Sequence, residues 1–116
     1  MGGFAFPPEQ RLKRPSDFRA VLDRGTKRHT GGFILFRARS GADLPRFGVS
    51  VGRKVGGAVA RNRVKRLLRE SFRLHWREWA LSGADLVVIA KHGADTLSIR
   101  EVSRELSAAV APRPRR

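Results

Sequence analysis

Residues 46–66, RFGVSVGRKVGGAVARNRVKR, change their hydrophobic period in mid-run. Phe47, Val49 and Val51 alternate with Gly48, Ser50 and Gly52, the two-residue period of a strand with one apolar face and one nearly bare face. Beyond the glycines at 56 and 57 the period lengthens. Val64, Leu67, Leu68, Phe72, Trp76 and Trp79 recur at helical spacing, which predicts a helix from about Ala58 to Trp79. Small residues in register on the bare strand face invite the close approach of another backbone, a packed helix or a ligand.

The flanking segments give a mixed architecture. Pro15-Ser16-Asp17, followed by Phe18, Val21 and Leu22 and closed by Gly25, predicts a short capped helix. Residues 33–39, FILFRAR, are strand formers. The turn residues 40–43 after them suggest an antiparallel hairpin with 46–52. Leu86-Val87-Val88-Ile89-Ala90 suits a strand covered on both faces. Ser98 with Glu101 forms a capping box for a last helix that ends before Pro112. The order is helix, strand, strand, helix, strand, helix, with room for an extra short strand within residues 25–32. The expected fold class is α+β with a central sheet and about three helices. A single domain spans 1–116, with an ordered core at about 11–110 and tails at 1–8 and 112–116.

Charge narrows the function. The chain of 116 residues carries 25 Lys and Arg against 10 Asp and Glu, a formal net charge of +15. A field of that sign concentrates polyanions, and nucleic acid is the first expectation. No apolar run approaches the roughly 20 residues needed to span a bilayer, so no membrane partner is expected. The first residues lack a secretory pattern. The absence of cysteine excludes disulfides and thiolate metal sites and suits a cytoplasmic setting.

Between Arg46 and Arg77 there are ten basic residues and one acid, Glu70. On a helical wheel Lys65, Arg66, Arg69, Arg73 and Arg77 gather with Asn62 and Arg63 opposite the apolar stripe. Like charges four residues apart weaken a helix, and Arg61 and Arg63 stand near its N-terminus, where the dipole disfavours cations. A bound phosphate would reverse both penalties. Asn62 is open to two readings, a contact to a base edge or 2′-hydroxyl and a helix cap. Phe18, Leu22, Phe33 and Phe36 are either core or, with Phe36 beside the bare strand face, part of a stacking platform for single-stranded nucleic acid. The three histidines are scattered, and no catalytic triad, carboxylate pair or ligand cluster stands out, so no catalytic residue is assigned and metal ligands stay undetermined.

The run from Arg46 to Arg66 closely resembles the signature of the bacterial ribonuclease P protein subunit, with Arg61-Asn62-Arg63 as its RNR motif. The resemblance extends to Arg11-Leu12, Asp17-Phe18, Gly32-Phe33 to Phe36 and Asp85 to Ala90, and so covers nearly all of 11–110. It implies a ferredoxin-like, ribosomal-protein-S5-like α/β sandwich with a left-handed βαβ crossover. It also implies a protein that joins a catalytic RNA and assists Mg²⁺-dependent removal of the 5′ leader from precursor tRNA, with the ion held mainly by RNA and no obligate protein partner. Carried over, Arg61, Asn62, Arg63, Lys65, Arg66, Arg69 and Arg73 contact the catalytic RNA. Phe18, Leu22, Phe36, Ser50, Arg53, Lys54 and Lys91 line the leader cleft. Leu22 stands where the family commonly has an aromatic, and Phe36 where it commonly has tyrosine. The rival expectations are a structural ribosomal or general RNA-binding protein, and a protein-only nuclease.

Overall fold

The run Ala84–Ala90 governs the architecture. It carries apolar side chains for both faces of a strand, so it needs a cover on each. All seven residues are buried except half-buried Ile89. In the computed structural model, which describes residues 8–79, 81 and 83–110, this run is the interior strand of a four-stranded sheet. The strands are β1 (Thr26–His29), β2 (Phe33–Arg39), β3 (Arg46–Ser50) and β4 (Ala84–Ala90), in the order β1-β2-β4-β3. Three helices pack on them: α1 (Pro15–Arg24), α2 (Ala58–His75) and α3 (Ile99–Val110).

The expected hairpin between 33–39 and 46–52 does not form. β4 lies between β2 and β3, antiparallel to β2 from Phe33↔Ala90 to Arg39↔Ala84 and parallel to β3 from Arg46↔Asp85 to Ser50↔Ile89. The strand that is apolar but for Asp85 takes an interior position, and the strand with a glycine and an arginine takes the edge. Parallel neighbours need a long crossover, which α2 supplies. The extra strand within 25–32 is β1, antiparallel to β2.

The sheet separates two cores. On one face Phe33, Leu35, Phe47, Leu86 and Val88 meet Val64, Leu68 and Phe72 of α2 and Val102, Leu106 and Val110 of α3. Phe47 stacks on Phe72 with ring centroids 4.3 Å apart. On the other face Ala38 and Val87 meet Leu12 and Val21, with Phe18, Phe36 and Ile89 packed alongside. Arg46 forms a forked pair with buried Asp85, Nε to Oδ1 at 2.9 Å and Nη2 to Oδ2 at 2.7 Å, bolting β3 to β4.

Several local expectations need adjustment. α1 takes Arg14 as its N-cap without a side-chain bond, and Pro15 opens the helix, since its missing N–H is not needed there. Ser16 and Asp17 therefore lie in the first turn instead of capping it. α2 closes at His75, although Trp79 still reaches the core and donates through Nε1 to Ser107 Oγ at 2.9 Å. The capping box of α3 is formed: Ser98 N–H donates to Glu101 Oε1 at 2.9 Å and Glu101 N–H to Ser98 Oγ at 3.1 Å. Glu101 is held below the ordinary carboxylate range chiefly by that backbone bond. Order extends upstream of 11, since Gln10 is buried and donates to the Pro45 carbonyl. Except for Pro8, the expected tails lie outside the described residues.

Gly48 shows why the strand face is bare. A Cβ there would lie 2.7 Å from Phe18 Cζ and 3.1 Å from Leu12 Cβ. Gly48→Ala is expected to cost about 1–3 kcal/mol through overpacking, read as a lower urea midpoint. An unchanged midpoint would show that α1 yields freely at this contact.

Candidate nucleic-acid interface

α2 starts without side-chain help. Val55 ends a short 3-10 turn at Arg53–Val55, Gly56 follows at φ +151°, and Gly57 is the N-cap, with no side-chain bond and no acid in the first turn. The positive end of the helix dipole is therefore uncompensated by any carboxylate of that turn, and cations follow directly. Asn62 is exposed and belongs to the second turn, so the capping alternative for it is excluded. Asn62, Arg66, Arg69 and Arg73 recur at intervals of four, three and four residues, opposite buried Val64, Leu68, Ser71 and Phe72. This outward line is the cationic face that the spacing anticipates. Lys65 flanks it half-buried.

Three arginines of this region have internal constraints that sequence does not reveal. Arg63 donates from Nε to the Asp95 carbonyl at 3.2 Å and from Nη2 to the Leu97 carbonyl at 3.0 Å, which staples α2 to the loop after β4. Arg73 forms a forked pair with Glu70, Nε to Oε1 at 3.0 Å and Nη2 to Oε2. That hydrogen bond lowers the Glu70 pKa, outweighing burial, which raises it. A carboxyl depressed in the folded state adds stability above its unfolded pKa, so the pair holds at neutral pH and is lost as pH falls through the depressed value. Arg61 Nε is buried and has no hydrogen-bond partner among the described residues. A buried orphan donor is costly, and an arriving acceptor relieves it.

The opposite surface is a cleft between α1 and the sheet. Residues paired across strands share a face, which gives two rows: Lys27, Phe36, Val87 and Gly48, then His29, Ile34, Ile89 and Ser50. Val87 thus separates Phe36 from the bare face of β3. Phe18 fills that face at Gly48, whereas Ser50 is exposed and nothing lies within 4 Å of a Cβ built at Gly52. Tight packing explains the first small residue, and open surface the other two. On α1, Phe18 and Leu22 line a shallow depression with Pro15, Arg19 and Asp23. Phe36 is half-buried on the floor. Exposed Arg53 and Lys54 follow β3 directly.

Lys91, just after β4, donates from Nζ to the Thr30 carbonyl at 2.6 Å, so part of its donor capacity is already engaged. Two features of the cleft escaped sequence reading. Lys27 Nζ stands 5.7 Å from the Phe36 ring centroid, a cation–π contact that depends on the β1 register. His92 Nδ1 lies 3.1 Å from the Lys54 carbonyl, close enough to hydrogen-bond and tie the turn after β3 to the loop after β4.

Acidic groups do not assemble a metal site: among the described residues no three His, Cys, Asp or Glu gather. Asp17 and Asp85 do converge, but on Arg46, with Asp17 Oδ2 at 3.9 Å from its Nη1. No helix among the described residues is long and apolar enough to cross a membrane.

The family model described as Ribonuclease P matches residues 6–112. The chain belongs to the ribonuclease P protein family. It is 40% identical over 107 residues to the ribonuclease P protein component of Geotalea uraniireducens, covering 92% of this chain and 93% of that one. It is 43% identical over 93 residues to that of Dictyoglomus thermophilum, covering 80% and 77%. The solved ribonuclease P protein of Staphylococcus aureus superposes with a TM-score of 0.77 at 29% identity, covering 86% and 91%. That of Thermotoga maritima gives 0.77 at 29%, covering 86% and 94%. As the protein component of ribonuclease P, a subunit of a ribonucleoprotein enzyme, the chain takes part in 5′ processing of precursor tRNA. Arg61, Asn62 and Arg63 therefore lie early in a cation-rich helix that has no side-chain cap, and Arg63 is stapled to the fold.

Arg63→Lys keeps the charge but cannot reproduce the forked contact to two carbonyls. Stability is expected to fall by about 0.5–1.5 kcal/mol per lost bond, while the salt dependence of RNA binding stays unchanged. An unchanged urea midpoint would show that the two carbonyl contacts add nothing to the fold.

Proposed function

We propose that the outward face of α2 docks the catalytic RNA while the cleft between α1 and the sheet holds the single-stranded 5′ leader of precursor tRNA. The observation that carries this is the line Asn62, Arg66, Arg69 and Arg73, facing away from the core on a helix with an uncompensated positive end. Arg61, with its orphaned Nε, belongs to the same docking face. Lys65 and the outer part of the Arg63 guanidinium flank it. In the cleft, Phe18, Leu22 and Phe36 offer apolar surface to bases, and Ser50, Arg53, Lys54 and Lys91 offer polar and cationic contacts along one side. Stacking on an aromatic ring is worth about 1–3 kcal/mol per base and tolerates any sequence. Leu22 lacks a ring and Phe36 lacks a hydroxyl, so binding here rests on apolar contact and charge.

In this reading the protein makes and breaks no bond. It lowers repulsion between two polyanions and restricts the leader to one path, which is a positional and electrostatic contribution. The Mg²⁺ that the family implies finds no donor set among the described residues, where no three His, Cys, Asp or Glu gather and Asp17 and Asp85 face Arg46 while Glu70 faces Arg73. The ion is assigned to RNA, and no step is routed through the protein for it. The assembly is a cytoplasmic ribonucleoprotein without an obligate protein partner.

The pair of charge reversals Arg66→Glu and Arg69→Glu is expected to weaken assembly with the catalytic RNA by tenfold or more, on the order expected from lost phosphate contacts. The slope of log affinity against log salt should shrink by about 0.9 for each contact to duplex phosphate. Unchanged assembly at physiological salt, with the fold intact by circular dichroism, would refute the docking face.

A further inference from the structure

Phe18 lines both the depression on α1 and a second groove along the outer edge of β3. That groove is lined by Arg11, Lys13, Phe18, Gly48, Val49 and Arg69, among others, and no acid lines it. β3 is an edge strand, covered at its start by the segment before α1: Leu12 N–H donates to the Phe47 carbonyl at 3.0 Å, and Arg11 bridges to Phe47. Beyond Phe47 no further strand pairs with this edge among the described residues. The floor there is a glycine, a half-buried valine and the side of an aromatic ring, and the rim is cationic on both banks, with Arg11 and Lys13 on one and Arg69 of α2 on the other.

Two observations make this a passage and not an isolated pocket. Phe18 belongs to the stripe of α1 that forms the cleft wall, and Arg69 belongs to the outward line of α2. The groove therefore joins the two surfaces around the β3 edge. An apolar floor between basic banks suits a single strand, whose bases can lie on the floor while its phosphates meet the rim.

We infer that this edge groove is an additional RNA-binding site, in which the leader, on leaving the cleft beside Phe18, is held through its phosphates by Lys13 and Arg11, as far as Arg69, where the groove meets the face that docks the catalytic RNA. This rests on the cleft being the leader site. It gives Arg11 a leader contact and adds Lys13, which the sequence pattern does not single out, and it lengthens the stretch of leader that the protein touches. A leader too short to reach the β3 edge gains nothing from these residues.

The test uses Lys13→Ala, because Lys13 is exposed and its loss leaves no buried gap. Holoenzyme reconstituted with its cognate RNA is titrated with two precursor tRNAs, one with a leader of a few nucleotides and one with a long leader, across a range of salt. The expected result is weaker binding of the long-leader precursor only, with its salt slope reduced by about 0.7, the increment for one phosphate on a single strand. Equal loss for both precursors, weaker assembly with the catalytic RNA, or no change for either would each overturn the inference. Phe36→Ala, assayed in parallel, separates the two levels. If it weakens long-leader binding while Lys13→Ala does not, the cleft stands and the edge groove falls. If neither variant shows a leader-dependent effect, the cleft reading fails as well.

Discussion

Burial of β4 on both faces and along both edges is the constraint from which the rest of the structure follows. A strand reading Ala-Asp-Leu-Val-Val-Ile-Ala has no side fit for water, so β2 and β3 must flank it and helices must cover it above and below. Its one polar member, Asp85, is accommodated because Arg46 from the neighbouring strand meets it with two hydrogen bonds. With β4 fixed in the interior, α2 and α3 share one face and α1 takes the other. The cationic face of α2 and the cleft beside α1 are thereby placed on opposite sides of one sheet, and β3 is left as the edge between them.

The division of surfaces also explains charge that works against folding. Like-charged residues along α2 and arginines near its N-terminus weaken a free helix. Packing of Val64, Leu68 and Phe72 holds the helix in place despite this, and local devices limit the damage: Glu70 pairs with Arg73, and two backbone carbonyls receive Arg63. What those devices leave is a line of cations on the surface and, beneath it, the buried Nε of Arg61 without a partner among the described residues. Binding to a polyanion is then linked to stability, since a ligand that binds only the folded state stabilises it by mass action.

Local features were legible in the sequence. The helical period from Val64 to Trp79 fixed which residues face outward, and Ser98 with Glu101 marked the start of α3, because both depend on neighbours within one or two turns. Strand order was not legible. The segments at 33–39 and 46–52 have the composition and spacing of a hairpin, and only the demand of β4 for an interior position, some thirty residues later, separates them. The same limit applies to the candidate site. The line Asn62, Arg66, Arg69 and Arg73 follows from periodicity, whereas the Arg63 staple to Asp95 and Leu97 and the position of Lys27 at Phe36 depend on distant contacts and on register. The basic banks of the β3 edge come from Arg11 and Lys13 on one side and Arg69 on the other, segments more than fifty residues apart in the chain, so their meeting depends on the fold and not on a motif.

The central claim is that two faces of one sheet serve two different RNAs. Site-specific photo-crosslinking in the reconstituted holoenzyme bound to precursor tRNA tests it most directly, with one crosslinker at position 62 on α2 and another at position 50 on the cleft floor. With the proposed division of surfaces, position 62 marks the catalytic RNA and position 50 marks the 5′ leader. Crosslinks from both positions to the same RNA, or the reverse assignment, would contradict it.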